Sequence, residues 1–266
     1  MKREKQGINL FSAINRHRTP LRSLFICCLL FACATSTATN PKERKAQLTL
    51  LSSRQVDINE PSGLAIDPSG TLWAVGNNPE FVYRLRDEGR VVDTLAYVGD
   101  DLEGIVFDPS DSTLWIVEEK RREVVHLNLD GNVLQRRKIE LDGKSNNGLE
   151  GICIDSVGDL YILNEQKPGL FIELNTNFSI KEEHRLDFAA DYSGLAYDPL
   201  RESFWVLSHQ NSELFLWNGS EGVLSSHSIP ATKAEGVTIN SASTRLYIID
   251  ETDQMLYIYA LSIASN

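Results

Sequence analysis

Short apolar runs alternate with polar turns along most of this chain, and the alternation itself recurs five times. Each unit opens on a polar residue followed by glycine: Ser62-Gly63, Glu103-Gly104, Glu150-Gly151, Ser193-Gly194 and Glu235-Gly236. The glycines are spaced 41, 47, 43 and 42 residues apart, which is the repeat length of a propeller blade. An apolar strand follows each glycine, as in Leu64-Ala65-Ile66 and Ile105-Val106-Phe107. A turn comes next, as in Asp67-Pro68-Ser69-Gly70; Asp, Pro and Ser set such turns through side-chain bonds to backbone and a fixed φ. A second strand carries an aromatic ten or eleven residues after the glycine: Trp73, Trp115, Tyr161, Trp205 and Tyr247. A third strand, such as Phe81 to Leu85, and a weaker fourth, such as Val91 to Leu95, complete the unit.

Evenly spaced β-branched and aromatic runs with Gly, Pro, Asn and Asp turns predict an all-β fold, and a four-strand unit of this length selects the propeller. The last unit runs out near Leu261, after its third strand. The missing outer strand is available in the segment from Leu48 to Ile58. Pairing it with the C-terminal blade closes the ring and removes the open edge. A sixth blade would need about forty more residues. The prediction is a five-bladed β-propeller over residues 46–266, and a monomer.

The N-terminus departs from this pattern. Lys2, Arg3, Lys5, Arg16, Arg18 and Arg22 precede an apolar run from Leu24 to Ala34, too short for a comfortable permanent span and arranged as an export signal. The run ends on Leu30-Phe31-Ala32-Cys33, similar to the lipobox of bacterial lipoproteins, whose cysteine is lipidated; cleavage near Ser36-Thr37-Ala38 is the rival. Residues 1–38 are read as the signal and 39–45 as a linker. Periplasmic or cell-surface placement, with lipid anchoring to the outer membrane, is the expectation. The leader holds six of the 26 basic residues and one of the 37 acids, so the remainder carries 20 against 36, a net charge of −16. Such a surface disfavours nucleic acid and anionic lipid, leaves membrane contact to the lipid anchor alone, and suits cations or basic ligands. Cys27, Cys28 and Cys33 lie in the leader, so Cys153 stands alone in the domain, with neither a bridge nor a zinc set available to it.

Propeller blades place their first strand along the central channel, so the polar-Gly column should ring one mouth. Four residues beyond each aromatic stand Asn77, Glu119, Glu165, His209 and Glu251, at the turn that returns to the same mouth. Glu103, Glu119, Glu150, Glu165, Glu235 and Glu251 therefore converge from three blades. Asn59, Glu60, Asp100, Asp101, Asn147, Asn164, Asp191 and Asp250 are close in sequence. Six carboxylates round one pore need raised pKa values or a cation, and hard oxygen donors favour calcium over magnesium or zinc. The competing reading is that these glutamates cap amides or pair with Arg121, Arg122 or Lys233. His209 stands alone in its column, Ser62 and Ser193 lack a nucleophile elbow, and Lys120-Arg121-Arg122 reads as a solvated turn.

Asp101-Leu102-Glu103-Gly104-Ile105, Asn147-Gly148-Leu149-Glu150-Gly151, Ser193-Gly194-Leu195-Ala196-Tyr197-Asp198-Pro199 and Ala234-Glu235-Gly236-Val237 together resemble the SdiA-regulated (YjiK-like) proteins from about Val56 to Leu261. The resemblance implies an exported bacterial five-bladed propeller with calcium at the channel, and it supplies no reaction. The ring is also distantly similar to lactonase-like and phytase-like propellers, although this chain has fewer channel His and Asn residues than the lactonases. Two functions are expected to compete: a calcium-bearing envelope module for a small ligand or protein, and a metal-dependent hydrolase of a lactone or phosphoester with a glutamate such as Glu150 as base.

Overall fold

The structure, a computed structural model, describes residues 45–86, 88–141, 148–165 and 168–263. The leader, Cys33, the linker before Lys45 and Asn147 lie outside the described residues. Every regular element among those described is a strand. The first strand of the described residues is β1 (Ala46–Gln55). Four complete blades follow: β2 to β5 (Pro61–Ile66, Leu72–Asn77, Glu80–Arg86, Arg90–Val98), β6 to β9 (Leu102–Asp108, Thr113–Glu118, Glu123–Leu127, Val133–Lys138), β10 to β13 (Leu149–Ile154, Leu160–Asn164, Gly169–Leu174, Ile180–Leu186) and β14 to β17 (Leu195–Asp198, Ser203–Ser208, Glu213–Asn218, Gly222–Ser228). The fifth contains β18 to β20 (Ala234–Ile239, Arg245–Asp250, Met255–Ile263).

Five antiparallel four-stranded sheets result, and the fifth takes β1 as its outer strand in the order β1-β20-β19-β18. Ala46 pairs with Ile263 and Gln55 with Met255, with a register shift between Leu50 and Ser52. The closing strand thus starts two residues earlier than Leu48 and stops before Val56, whose side chain packs instead with Ile58, Leu256 and Ile258 between the fifth and first blades.

The core is divided among the five blade interfaces. Trp73 packs between the first two blades, Trp115 between the second and third, and Trp205 between the fourth and fifth. The aromatic column is therefore inter-blade packing, the main non-polar contribution in such a ring. The turn aspartates fix three of these rings: Trp115 and Trp205 donate their indole N–H to Asp108 and Asp198 at 3.2 and 3.1 Å, and Tyr161 donates its hydroxyl to Asp155 at 3.1 Å. Cys153 is a buried free thiol in the interface of the third and fourth blades, and its burial pushes its pKa up, so it stays unionised.

The polar-Gly step is where each inner strand bends. In four blades the pairing of first and second strands shifts register there: between Pro61 and Leu64, Leu102 and Ile105, Leu149 and Ile152, and Ala234 and Gly236. Such a bulge re-aims a side chain out of the ladder. Glycine is required because the strands nearly touch at this level. A Cβ on Gly104 would lie 2.3 Å from the carbonyl oxygen of Glu150, and one on Gly236 would lie 2.5 Å from that of Ser62. Gly63 and Gly194 make the same approach to the Glu103 and Glu235 carbonyl oxygens, at 2.4 and 2.5 Å, and Gly151 meets the Leu195 amide nitrogen at 2.7 Å. The five glycines form a waist with a free space of only about 10 Å³, enough for about one water.

Candidate functional site: an acidic cavity above the glycine waist

On one side of the waist lies a cavity of about 210 Å³. Its walls include Glu103, Glu119, Glu150, Glu165, Glu235 and Glu251, with Asn77, Ser193 and His209 from the same two columns. Both columns therefore reach one mouth. The backbone explains the convergence. The amides of Asn77, Glu119 and Glu251 donate to the carbonyls of Glu60, Asp101 and Lys233, at 3.0, 2.9 and 2.9 Å. In each case the acceptor stands two residues before the bulged polar residue, so one hydrogen bond ties the exit of the second strand to the entrance of the first.

Those acceptors belong to a third column that the sequence pattern did not single out. Glu60 and Lys233 line the cavity, Asp101 joins its acidic wall, and Asp191 lies beneath His209. Glu60 and Asp101 adopt positive φ values of 47° and 65°, an uncommon conformation outside glycine.

The two halves of the ring differ in charge compensation. On the side of the fourth and fifth blades, Lys233 Nζ bonds Glu251 and lies 3.3 Å from Glu235 Oε1. His209 Nδ1 lies 2.6 Å from Asp191 Oδ2 and 3.6 Å from Glu235 Oε1. Asp191 is fully buried and accepts from the Ser208 hydroxyl at 2.5 Å and from the Gln210 amide at 3.2 Å. His209 is thus not alone: it forms an Asp–His dyad. The Asp191 hydrogen bond raises the His209 pKa against the opposing effect of burial, and Glu235 adds to the rise. Burial works to raise the Asp191 pKa, but bonds from His209 and Ser208 outweigh it and leave a net lowering. Burial likewise dominates at Glu235, lifting it to about 7 although Lys233 and His209 pull it down.

The opposite wall has less compensation. Asp101, Glu103 and Glu119 each offer a carboxylate oxygen, all within 4.8 Å of one another. Asn77 Nδ2 donates to Glu103 Oε1 at 3.1 Å and to Ser62 Oγ at 3.2 Å, while Asn77 Oδ1 is buried without a partner among the described residues. Glu119 accepts from the Gly148 amide at 3.1 Å, and Lys120 reaches Asp101 at 3.5 Å from the exposed rim. Glu150 is 8% exposed, and no ion pair or side-chain hydrogen bond reaches it among the described residues. Burial first, and then Glu103, Glu119 and Glu235, push its pKa well above the carboxylate range. Glu103 is raised in the same way by burial and by Glu235, Asp101 and Glu119, and Glu119 by burial and Asp101.

Of the three expected cationic partners, Lys233 is the one seen against the glutamate ring among the described residues. Arg121 bonds Asp100 and Glu118 instead. Arg122 is buried and donates to the Leu141 carbonyl at 2.9 Å, so the Lys120-Arg121-Arg122 turn is solvated only in part. His126 stacks on Trp115 with centroids 3.8 Å apart, away from the cavity.

The sequence profile of the SdiA-regulated family matches residues 40–260. The chain belongs to the SdiA-regulated family. Among solved structures, similarity extends to glutaminyl cyclase from Myxococcus xanthus (10% identity, 82% of this chain and 97% of that one, TM-score 0.62). It also includes the gluconolactonase XC5397 from Xanthomonas campestris (16% identity, 82% and 90%, TM-score 0.56). A third is the PQQ-bound aldose sugar dehydrogenase from Streptomyces coelicolor (12% identity, 82% and 99%, TM-score 0.54). At these identities the likeness is one of fold, and three chemistries on one fold assign none to this member.

Proposed function

We propose that this protein is an exported envelope propeller that holds a divalent cation, calcium by its donor set, in the acidic cavity and presents that mouth to a small ligand or protein partner. The observation that carries this reading is Glu150. A buried carboxylate without a counter-charge beside Glu103 and Glu119 is costly unless it is protonated or joined by a cation. The available donors are carboxylate oxygens and the unpartnered Asn77 Oδ1, hard ligands in the number and irregular arrangement that calcium accepts. The fourth- and fifth-blade wall is already compensated by Lys233 and His209, so the cation belongs on the Glu103, Glu119 and Glu150 side.

Scanning calorimetry of the mature protein with calcium and with chelator tests this. A cation bound only by the native state raises the melting temperature with concentration, and Glu150→Gln should remove most of the rise. An unchanged melting curve overturns the reading. The basic leader and Cys33 support export and lipid anchoring, which the mass of the mature N-terminus decides.

A second reading, a metal-dependent hydrolase of a lactone or phosphoester, draws on the Asp191–His209 dyad facing the acidic wall. There a cation would polarise the substrate oxygen. His209, held toward its protonated form by Asp191, would suit proton donation to the leaving oxygen. Turnover of lactone or phosphoester substrates that is lost in His209→Gln, with calcium-dependent melting retained, would select this reading.

A further inference from the structure

Below the glycine waist lies a second cavity, of about 200 Å³, walled by all five blades. Its chemistry is opposite to that of the acidic one. The third residue after each glycine forms a ring of Ile66, Phe107, Ile154, Tyr197 and Ile239 around it. The preceding position is small in three blades, where Ala65, Cys153 and Ala196 leave the space unfilled. The waist closes its floor, since backbone meets backbone there.

Three polar side chains at the mouth are already committed, leaving Thr238 and Ser241 among the hydroxyls in the lining. Asp67 Oδ1 accepts from the Ser69 and Thr71 amides at 2.8 and 3.0 Å, and Asp155 Oδ1 from Val157 and Asp159, both at 2.9 Å. Asn240 Oδ1 takes the Thr244 and Arg245 amides, each at 2.9 Å. A ligand here is therefore recognised by burial and shape. The lip extends the apolar surface: Val157 is 82% exposed and Leu200 56% exposed, on the turns that follow Ile154 and Tyr197.

We infer that this cavity is a binding site for a free small apolar molecule carrying a single ring. An apolar cavity of about 150 Å³ excludes water and takes benzene, so this one has room for a ring and a short substituent. Phe107 and Tyr197 offer ring faces or edges to it, and the substituent would run out over Val157 and Leu200. The site is independent of the cation, since the waist separates the two cavities.

Titration of ¹⁵N-labelled mature protein with toluene tests the assignment. Toluene should bind saturably, shifting amides near Ile66, Cys153 and Tyr197. Ile154→Trp, which fills the space, should weaken binding about tenfold or more. Tyr197→Trp, an aromatic exchange at a half-buried position, carries the same expectation should the first variant fail to fold. Toluene affinity measured below the melting temperature should be the same with calcium and with chelator. Absence of saturable binding, undiminished binding in a folded filled variant, or loss of binding in chelator would each overturn the inference.

Discussion

His209 Nδ1 lies 2.6 Å from Asp191 Oδ2, and the aspartate beneath it is fully buried. Replacing His209 by alanine removes this close ion-pair contact and leaves the carboxylate with its Ser208 and Gln210 hydrogen bonds alone. A hydrogen bond to a charged group contributes about 1.5–3 kcal/mol, and an orphaned buried one costs a similar amount. His209→Ala should therefore lower unfolding stability by about 2 kcal/mol in urea denaturation, and Asp191→Asn by a comparable amount.

The same pair sets a pH window. The raised His209 pKa gives stability that is complete below its unfolded value and is lost as pH rises through the folded one. The lowered Asp191 pKa gives stability that is present above its unfolded value and is lost as pH falls through the folded one. The pair's contribution should be largest between these limits. The double variant His209→Ala/Asp191→Asn should flatten both flanks in urea titrations at a series of pH values.

Glu150, Glu103 and Glu235 act in the opposite sense to Asp191. Their folded pKa values lie above the unfolded ones, Glu235 at about 7. The native state then binds more protons than the unfolded chain, and stability falls as pH rises. In chelator, the melting temperature should decline from about pH 4.5, the unfolded glutamate range, through pH 7 and beyond. Saturating calcium should recover the loss, and Glu150→Gln should shrink the decline. A rising curve over this range in chelator contradicts the charge distribution described for the cavity.

The waist gives a packing test. Alanine at Gly104 puts a methyl 2.3 Å from the Glu150 carbonyl oxygen, against backbone that cannot swing aside. Gly104→Ala should cost about 2 kcal/mol or more by overpacking, seen as a lower urea midpoint. Alanine at Gly70, an exposed turn where nothing lies within 4 Å, tests backbone conformation alone because its φ is +87°. It should cost about 1 kcal/mol.

Repetition made the ring and the glutamate convergence readable in the sequence. Equivalent positions in a closed ring meet, so Glu103, Glu150 and Glu235 could be placed without coordinates, and their second-strand partners by a fixed offset. The Asp191–His209 dyad was hidden because Asp191 stands before β14 and His209 just after β15, and because His209 occupies a column otherwise filled by Glu and Asn. A signal was present: Glu60, Asp101, Asp191 and Lys233 all stand two residues before the polar residue of the polar-Gly step. That column mixes acid and base, so it shows no residue-type pattern, only a hydrogen-bonding role. Arg122 misled for a related reason. Its burial depends on Leu141, nineteen residues away, and nothing in the turn itself reports that.

The pairing of Ala46 with Ile263 also carries a temporal consequence. Among the described strands, the first made is the last to find its neighbour, because its partner is β20. At about 5–20 residues per second of synthesis, the growing polypeptide waits roughly 10–40 s with that strand unsatisfied. During this interval the ring stands open. A slow non-local closure of this kind leaves the waiting strand edge exposed to pairing with the wrong partner.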